Sequence, residues 1–156
     1  MRIPDKIIVD TSVLIALDKL GLLRLLCNVY SEIWLPEGVN KEFGALTLPC
    51  VVIKKTQSNL IKLLIKDLNL GLGEAEVISL ASESNMKVMI DDMKARKVAQ
   101  DFGLTVTGTI GFLLKAHQLG LIKSAYENVQ KLRDMGFYVS EKLIDEIRKI
   151  ELKKDI

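Results

Sequence analysis

"KIIVDTSVLIAL", Lys6 to Leu17, is the stretch from which the rest of the chain can be read. Ile7, Ile8 and Val9 are apolar and β-branched at consecutive positions, the pattern of a strand buried on both faces, and a helical spacing takes over two residues past Asp10. Asp10 therefore stands where a buried strand ends. In open parallel α/β sheets the ligand crevice lies beyond the carboxyl ends of the strands, near the point where strand order reverses. An acid at that position is a candidate for chemistry.

Working outward, short segments rich in β-branched residues recur at Glu32–Leu35, Lys87–Ile90, Leu104–Val106 and near Phe137–Val139. Helical patterns lie between most of them. Leu14, Leu17 and Leu20, then Leu22, Leu23, Leu25 and Leu26, suit two short helices broken at Gly21, and Leu60, Ile61, Leu64, Ile65 and Leu68 form an i, i+4 stripe. Further helices are expected over Glu74–Ser84, Met93–Phe102, Ile110–Leu119, Lys123–Met135 and Glu141–Leu152. This alternation predicts an α/β fold, a three-layer α/β/α sandwich on a mostly parallel sheet of about five strands. No repeat, low-complexity tract or linker interrupts residues 1–156, so one domain is expected.

Composition narrows the function classes. The 156 residues are 49% hydrophobic and 27% charged, enough to bury roughly 70% of the unfolded surface without staples, and no apolar run reaches the ~18 residues that a membrane span needs. "MRIPDKIIVD" reaches a strand-like segment at once and leaves no room for a signal h-region, so the expectation is a soluble, cytoplasmic protein with no membrane partner. Cys27 and Cys50 show no C-x-x-C spacing and read as buried filler. His117 is the single histidine, which limits imidazole-metal and Ser-His-Asp chemistry and favours a structural or solvent-facing role for it. A net charge of +2 leaves the partner open.

Acids recur at positions able to converge: Asp10, Glu42 in "LPEGVNKEF", Glu74 and Glu76 in "GLGEAEVISLA", and Asp91 and Asp92 after "KVMI". Each has a plain structural explanation. Asp10 and Asp92 suit helix N-caps, Glu74 and Glu76 suit a first helical turn, and Glu42 suits a solvated surface. Taken jointly they say more, because carboxylates crowded into one crevice repel unless a cation compensates. Mg²⁺ or Mn²⁺, hard ions bound through a few carboxylates and waters, fit such a site. On a regular helix Glu74 and Glu76 lie about 200° apart, so the two are not expected to reach the same ion.

The motifs "IVDTSVLIAL", "WLPEGVNKEF", "GEAEVISLA", "VMIDDMKARKVA" and "VTGTIGFLL" resemble, in order and spacing over nearly the whole chain, those of PIN-domain proteins, especially a subgroup with a G-E-A-E motif. The resemblance implies a Mg²⁺- or Mn²⁺-dependent nuclease, often a ribonuclease and often the toxin of a toxin–antitoxin pair, commonly dimeric and bound by a small antitoxin. Carried over by motif, Asp10, Glu42, Glu74 and Asp92 are the catalytic acids, and Asp10, Asp92, Glu74 and Asp91 are the candidate metal ligands. Ser12, Glu76 and Thr107, which ends "LTV", are supporting. Two positions depart from the usual pattern: Glu74 stands where Asp is common, and Ile90 where Thr is common.

Lys94, Arg96 and Lys97, just beyond the proposed ligands, are the candidate phosphate-binding residues; Lys54, Lys55, Lys62 and Lys66 read first as a solvated face. Aromatic residues total 5%, so no base-stacking platform stands out. Two other functions compete. One is a metal-poor PIN fold kept for protein or RNA binding. The other is an aspartate-based phosphatase, against which "DTSVL" lacks the second acid of a D-x-D-x-T motif.

Overall fold

The computed structural model describes residues 5–154. From the amino end the chain forms β1 (Lys6–Val9), α1 (Thr11–Lys19), a 3₁₀ turn (Leu23–Leu25), α2 (Leu26–Val29), β2 (Glu32–Pro36), α3 (Glu37–Phe43) and β3 (Val51–Lys54). It continues through α4 (Asn59–Lys66), α5 (Leu72–Ser84), β4 (Lys87–Met89), α6 (Met93–Asp101), β5 (Val106–Thr107), α7 (Thr109–Gln118), α8 (Ala125–Asp134) and α9 (Glu141–Lys154). The five strands lie in the order β3-β2-β1-β4-β5, and every pair is parallel.

Ile7, Ile8 and Val9 are all fully buried, as are Val88 and Met89. Successive strand residues point to opposite faces, so burial of every one means that both faces are covered, the middle layer of an α/β/α arrangement. The chain walks outward from β1 to β2 to β3, then returns across the sheet to β4 and β5 on the other side of β1. Right-handed crossovers place the connecting helices of the two halves on opposite faces. Strand order therefore reverses between β1 and β4, and Asp10 and Asp91–Asp92 follow the ends of those two neighbouring strands.

Three expectations need correction. The segment Phe137–Val139 is no strand. Gly136, at φ +98°, closes α8, the Phe137 N–H donates back to the Leu132 carbonyl, and Ser140 caps α9 by accepting from the Leu143 N–H, so the intervening residues are consumed as a helix-to-helix link. The fifth strand is β3, whose β-branched Val51-Val52-Ile53 run lies at the sheet edge between a loop and two lysines. Cys27 and Cys50 are joined in a disulfide across 23 residues. They meet because α2 leads into β2 and β3 pairs beside it, with the Ile33 N–H donating to the Cys50 carbonyl. Among the described residues no helix is long and apolar enough to cross a membrane.

Candidate active site

Asp10 occupies the N-cap position of α1, its carbonyl accepting the Leu14 N–H, but its side chain makes no capping hydrogen bond to the backbone of that helix beyond its neighbour Thr11. Its side chain has another setting. The residue is 4% exposed, and burial, followed by the charges of Glu74 and Glu42, pushes its carboxyl up to about 6 from 3.8, against a partial offset from the Thr11 N–H and the Ser12 hydroxyl. Ser12 Oγ lies 3.4 Å from Asp10 Oδ2.

Glu42 arrives on α3, a short helix anchored by buried Val39 and ended by Gly44 at φ +106°. Its carboxylate is placed by what is missing beneath it. A Cβ at Gly73 would sit 3.2 Å from Glu42 Oε2 and 3.9 Å from Asp10 Oδ1, so the two carboxylates flank one point above a glycine in the first turn of α5. Glu74 follows on the same turn. Burial, then the nearby charge of Asp92 and that of Glu42, raises its carboxyl, with the Gly71 backbone and Lys94 acting in the opposite direction. Asp92 is exposed, and its Oδ2 caps α6 by accepting from the Ala95 N–H at 2.9 Å. Asp10, Glu42, Glu74 and Asp92 are thus linked by mutual repulsion at the carboxyl edge of the sheet.

The remaining predicted residues divide by what they touch. Both oxygens of Asp91 are engaged by Thr109, Oδ1 by its N–H at 2.8 Å and Oδ2 by its hydroxyl at 2.5 Å, so this acid caps α7. Glu76 turns from the cluster to α3, where its Oε2 accepts the Gly38 N–H at 3.1 Å. Arg96 Nη1 donates to the Ile90 carbonyl at 2.8 Å and rests over Gly108, which makes it a brace for the turn after β4. Lys94 Nζ donates to the Asn69 carbonyl at 3.2 Å and lies close enough to Glu74 to stabilise its charge. Lys97 is exposed, and Thr107 ends β5, its carbonyl accepting the Ile90 N–H. His117 is buried near the carboxyl end of α7, about 12 Å along that helix from Thr109 at 1.5 Å per residue.

Sequence reasoning did not single out Gly38, Gly73 or Thr109. The only available signal was the placement of each glycine one helical turn or less from an acid on its own helix.

Among the described residues no three His, Cys, Asp or Glu side chains stand close enough to form a ready-made metal cage. The donor set nevertheless suits a hard divalent ion. Mg²⁺ keeps several waters and uses one or two carboxylates, and a buried, repelled Asp10 gains most from a cation beside it. The acids lie on an open edge; a 270 Å³ apolar groove lined by Ile15, Ala16, Leu132 and Phe137 runs along α1 and meets the cluster only through Ser12.

A family model described as PIN domain matches residues 6–152. The chain belongs to the PIN-domain family. A comparison with curated proteins finds no match. PIN domains are generally nucleases that act on nucleic acid and usually employ divalent metal ions.

Proposed function

We propose that this PIN domain is a Mg²⁺- or Mn²⁺-dependent endoribonuclease that hydrolyses phosphodiester bonds in single-stranded RNA, in the manner of a toxin of a toxin–antitoxin pair. The observation that carries the reading is Asp10, a buried carboxylate with no capping role, pushed up to about 6 by burial and by Glu74 and Glu42. Folding places it there at a cost, and a cation repays it.

Asp10 and Asp92, beyond adjacent strands, are the residues to hold the principal ion; Glu74 is the third candidate ligand. When bound, the ion supplies charge stabilisation at the phosphoryl group and acidifies a water. Glu42 and Glu74 position the attacking water, accepting its protons in hydrogen bonds, or hold a second, weaker ion. Lys94 and Lys97 retain the phosphate backbone, while Arg96, committed to the Ile90 carbonyl, contributes by holding the turn that bears Asp92. A cytoplasmic setting, where RNA is available, belongs to the same proposal. Exposed Leu63, Ile65, Leu68 and Leu72, along α4 and into α5, support a homodimer contact. An antitoxin, in the same reading, would block the acidic pocket, and sedimentation of the purified chain alone tests the homodimer.

The decisive experiment measures cleavage of end-labelled single-stranded RNA with Mn²⁺, with EDTA, and with Asp10→Asn. Metal-dependent cleavage lost in the variant supports the reading. RNA binding without cleavage would favour a metal-poor binding module, and turnover of p-nitrophenyl phosphate instead would favour the aspartate-based phosphatase.

A further inference from the structure

Helices α3 and α5 exchange glutamates. Glu76 of α5 reaches Gly38 of α3, accepting its N–H, and a Cβ at Gly38 would collide with the Glu76 carboxylate. In return Glu42 of α3 lies against Gly73 of α5, where a Cβ would meet Glu42 Oε2 at 3.2 Å and Val39 Cγ2 at 3.7 Å. Gly38 and Glu42 are four apart on one helix, and Gly73 and Glu76 three apart on the other, so each pair shares a face of its helix. Each helix thus offers the other a glycine in register with a glutamate.

We infer that Glu76 is a positioning residue, which locks α3 onto α5 and thereby sets the Glu42 carboxylate beside Asp10. The inference rests on the reading of Glu42 as part of a metal site. α3 has seven residues, too few to be stable alone; its packing rests on buried Val39 and half-buried Phe43, and the Glu76 hydrogen bond adds a directional anchor at its amino end. A hydrogen bond to a carboxylate one turn before Glu42 restrains both the rotation and the slide of the helix. This divides the G-E-A-E motif: Glu74 faces the cluster, while Glu76 acts on it through the backbone of another helix.

The test is Mn²⁺ affinity of the full chain by calorimetry, with folding checked by circular dichroism. Glu76→Ala should weaken Mn²⁺ binding by about 10-fold or more, the usual effect of removing a group that orients a ligand, and the loss should not add to that of Glu42→Gln. Glu76→Gln keeps an acceptor oxygen and should stay within about 3-fold of wild type, a rescue that follows from the hydrogen bond. If Glu76→Ala fails to fold, Gly38→Ala serves, since it displaces the carboxylate while leaving α3 a better helix former; a similar loss is expected. Wild-type affinity in Glu76→Ala or Gly38→Ala, beside a loss in Glu42→Gln, overturns the inference and leaves the metal site standing. Unchanged affinity in both Asp10→Asn and Glu42→Gln overturns the metal site, and the inference with it.

Discussion

The Asp10 N–H donates to the Met89 carbonyl at 3.0 Å, so the first residue past β1 stays in register with the last residue of β4. The backbone pairing of the two central strands thus runs one residue into the site. It fixes the Asp10 Cα before any side chain is chosen, and the carboxylate has to remain in the 4% exposed position that results. Its burial beside other acids yields the first two predictions.

Millimolar Mg²⁺ or Mn²⁺ should raise the melting temperature. A ligand that binds only the folded state adds RT ln(1 + [L]/Kd), about 2.7 kcal/mol at 100 times Kd, or roughly 5–10 °C for a chain of this size. Asp10→Asn should lose most of the shift. Scanning calorimetry with and without metal decides, and a wild-type melting point indifferent to both ions would contradict the metal site.

Without metal, Asp10 should destabilise the fold near neutral pH. Its carboxyl is raised from 3.8 to about 6, so between those values the folded state holds the proton that the unfolded state has released. This group's contribution therefore falls as pH rises through that window, and above pH 6 the full cost is present, up to about 3 kcal/mol at 1.36 kcal/mol per pH unit. Asp10→Asn cannot ionise. In urea melts with chelator, the variant's stability relative to wild type should increase from pH 4 to pH 7; a constant or shrinking difference would show that Asp10 is not held in that environment.

Asp91→Ala should act on folding rather than on metal. It removes both hydrogen bonds at the start of α7 and leaves the buried Thr109 hydroxyl without its partner, a loss of about 1–3 kcal/mol. Mn²⁺ affinity of the folded variant should change much less than in Asp10→Asn. Equal losses would restore Asp91 to the ligand set.

Reduction of the Cys27–Cys50 bridge should lower stability by about 3 kcal/mol, the loop-closure entropy returned to an unfolded chain by opening a loop of this length. The closed loop contains β2 and α3, and hence Glu42. A urea midpoint unmoved by dithiothreitol would mean that the thiols are not paired in solution.

The strands around Asp10 were legible because the physics there is local. Ile7-Ile8-Val9 and the run up to Ile90 are continuous apolar segments ending in acids, and a parallel sheet requires that pattern. The disulfide was not legible, since 23 residues and two turns of topology separate its cysteines. The division of labour between neighbouring acids was legible in part. Two 100° helical steps separate Glu74 from Glu76, yet nothing local reveals that Gly38 waits for the second one. Asp91 and Asp92 could not be told apart, because both cap helices and only tertiary structure shows that Asp91 caps a remote one.

The last prediction concerns the reaction. Endonucleolytic cleavage of single-stranded RNA should fall by orders of magnitude in Asp10→Asn and Asp92→Asn, since each removes a charge from the pair proposed to hold the ion, and EDTA should abolish it. His117→Ala should leave the activity of folded protein nearly unchanged. The imidazole lies two helical turns and more from Thr109, and a metal-assisted hydrolysis needs no histidine base. Glu74→Gln should be more harmful than Glu76→Gln, because the amide at position 76 can still accept the Gly38 N–H, whereas at position 74 it forfeits the charge that faces Asp92 and Glu42. Rates on a fluorophore-quencher RNA, normalised to the folded fraction, measure all five variants and the chelator control together. Reversal of the two glutamate effects would exchange the roles of Glu74 and Glu76 within the site, while cleavage that persists in EDTA would remove the metal from the mechanism.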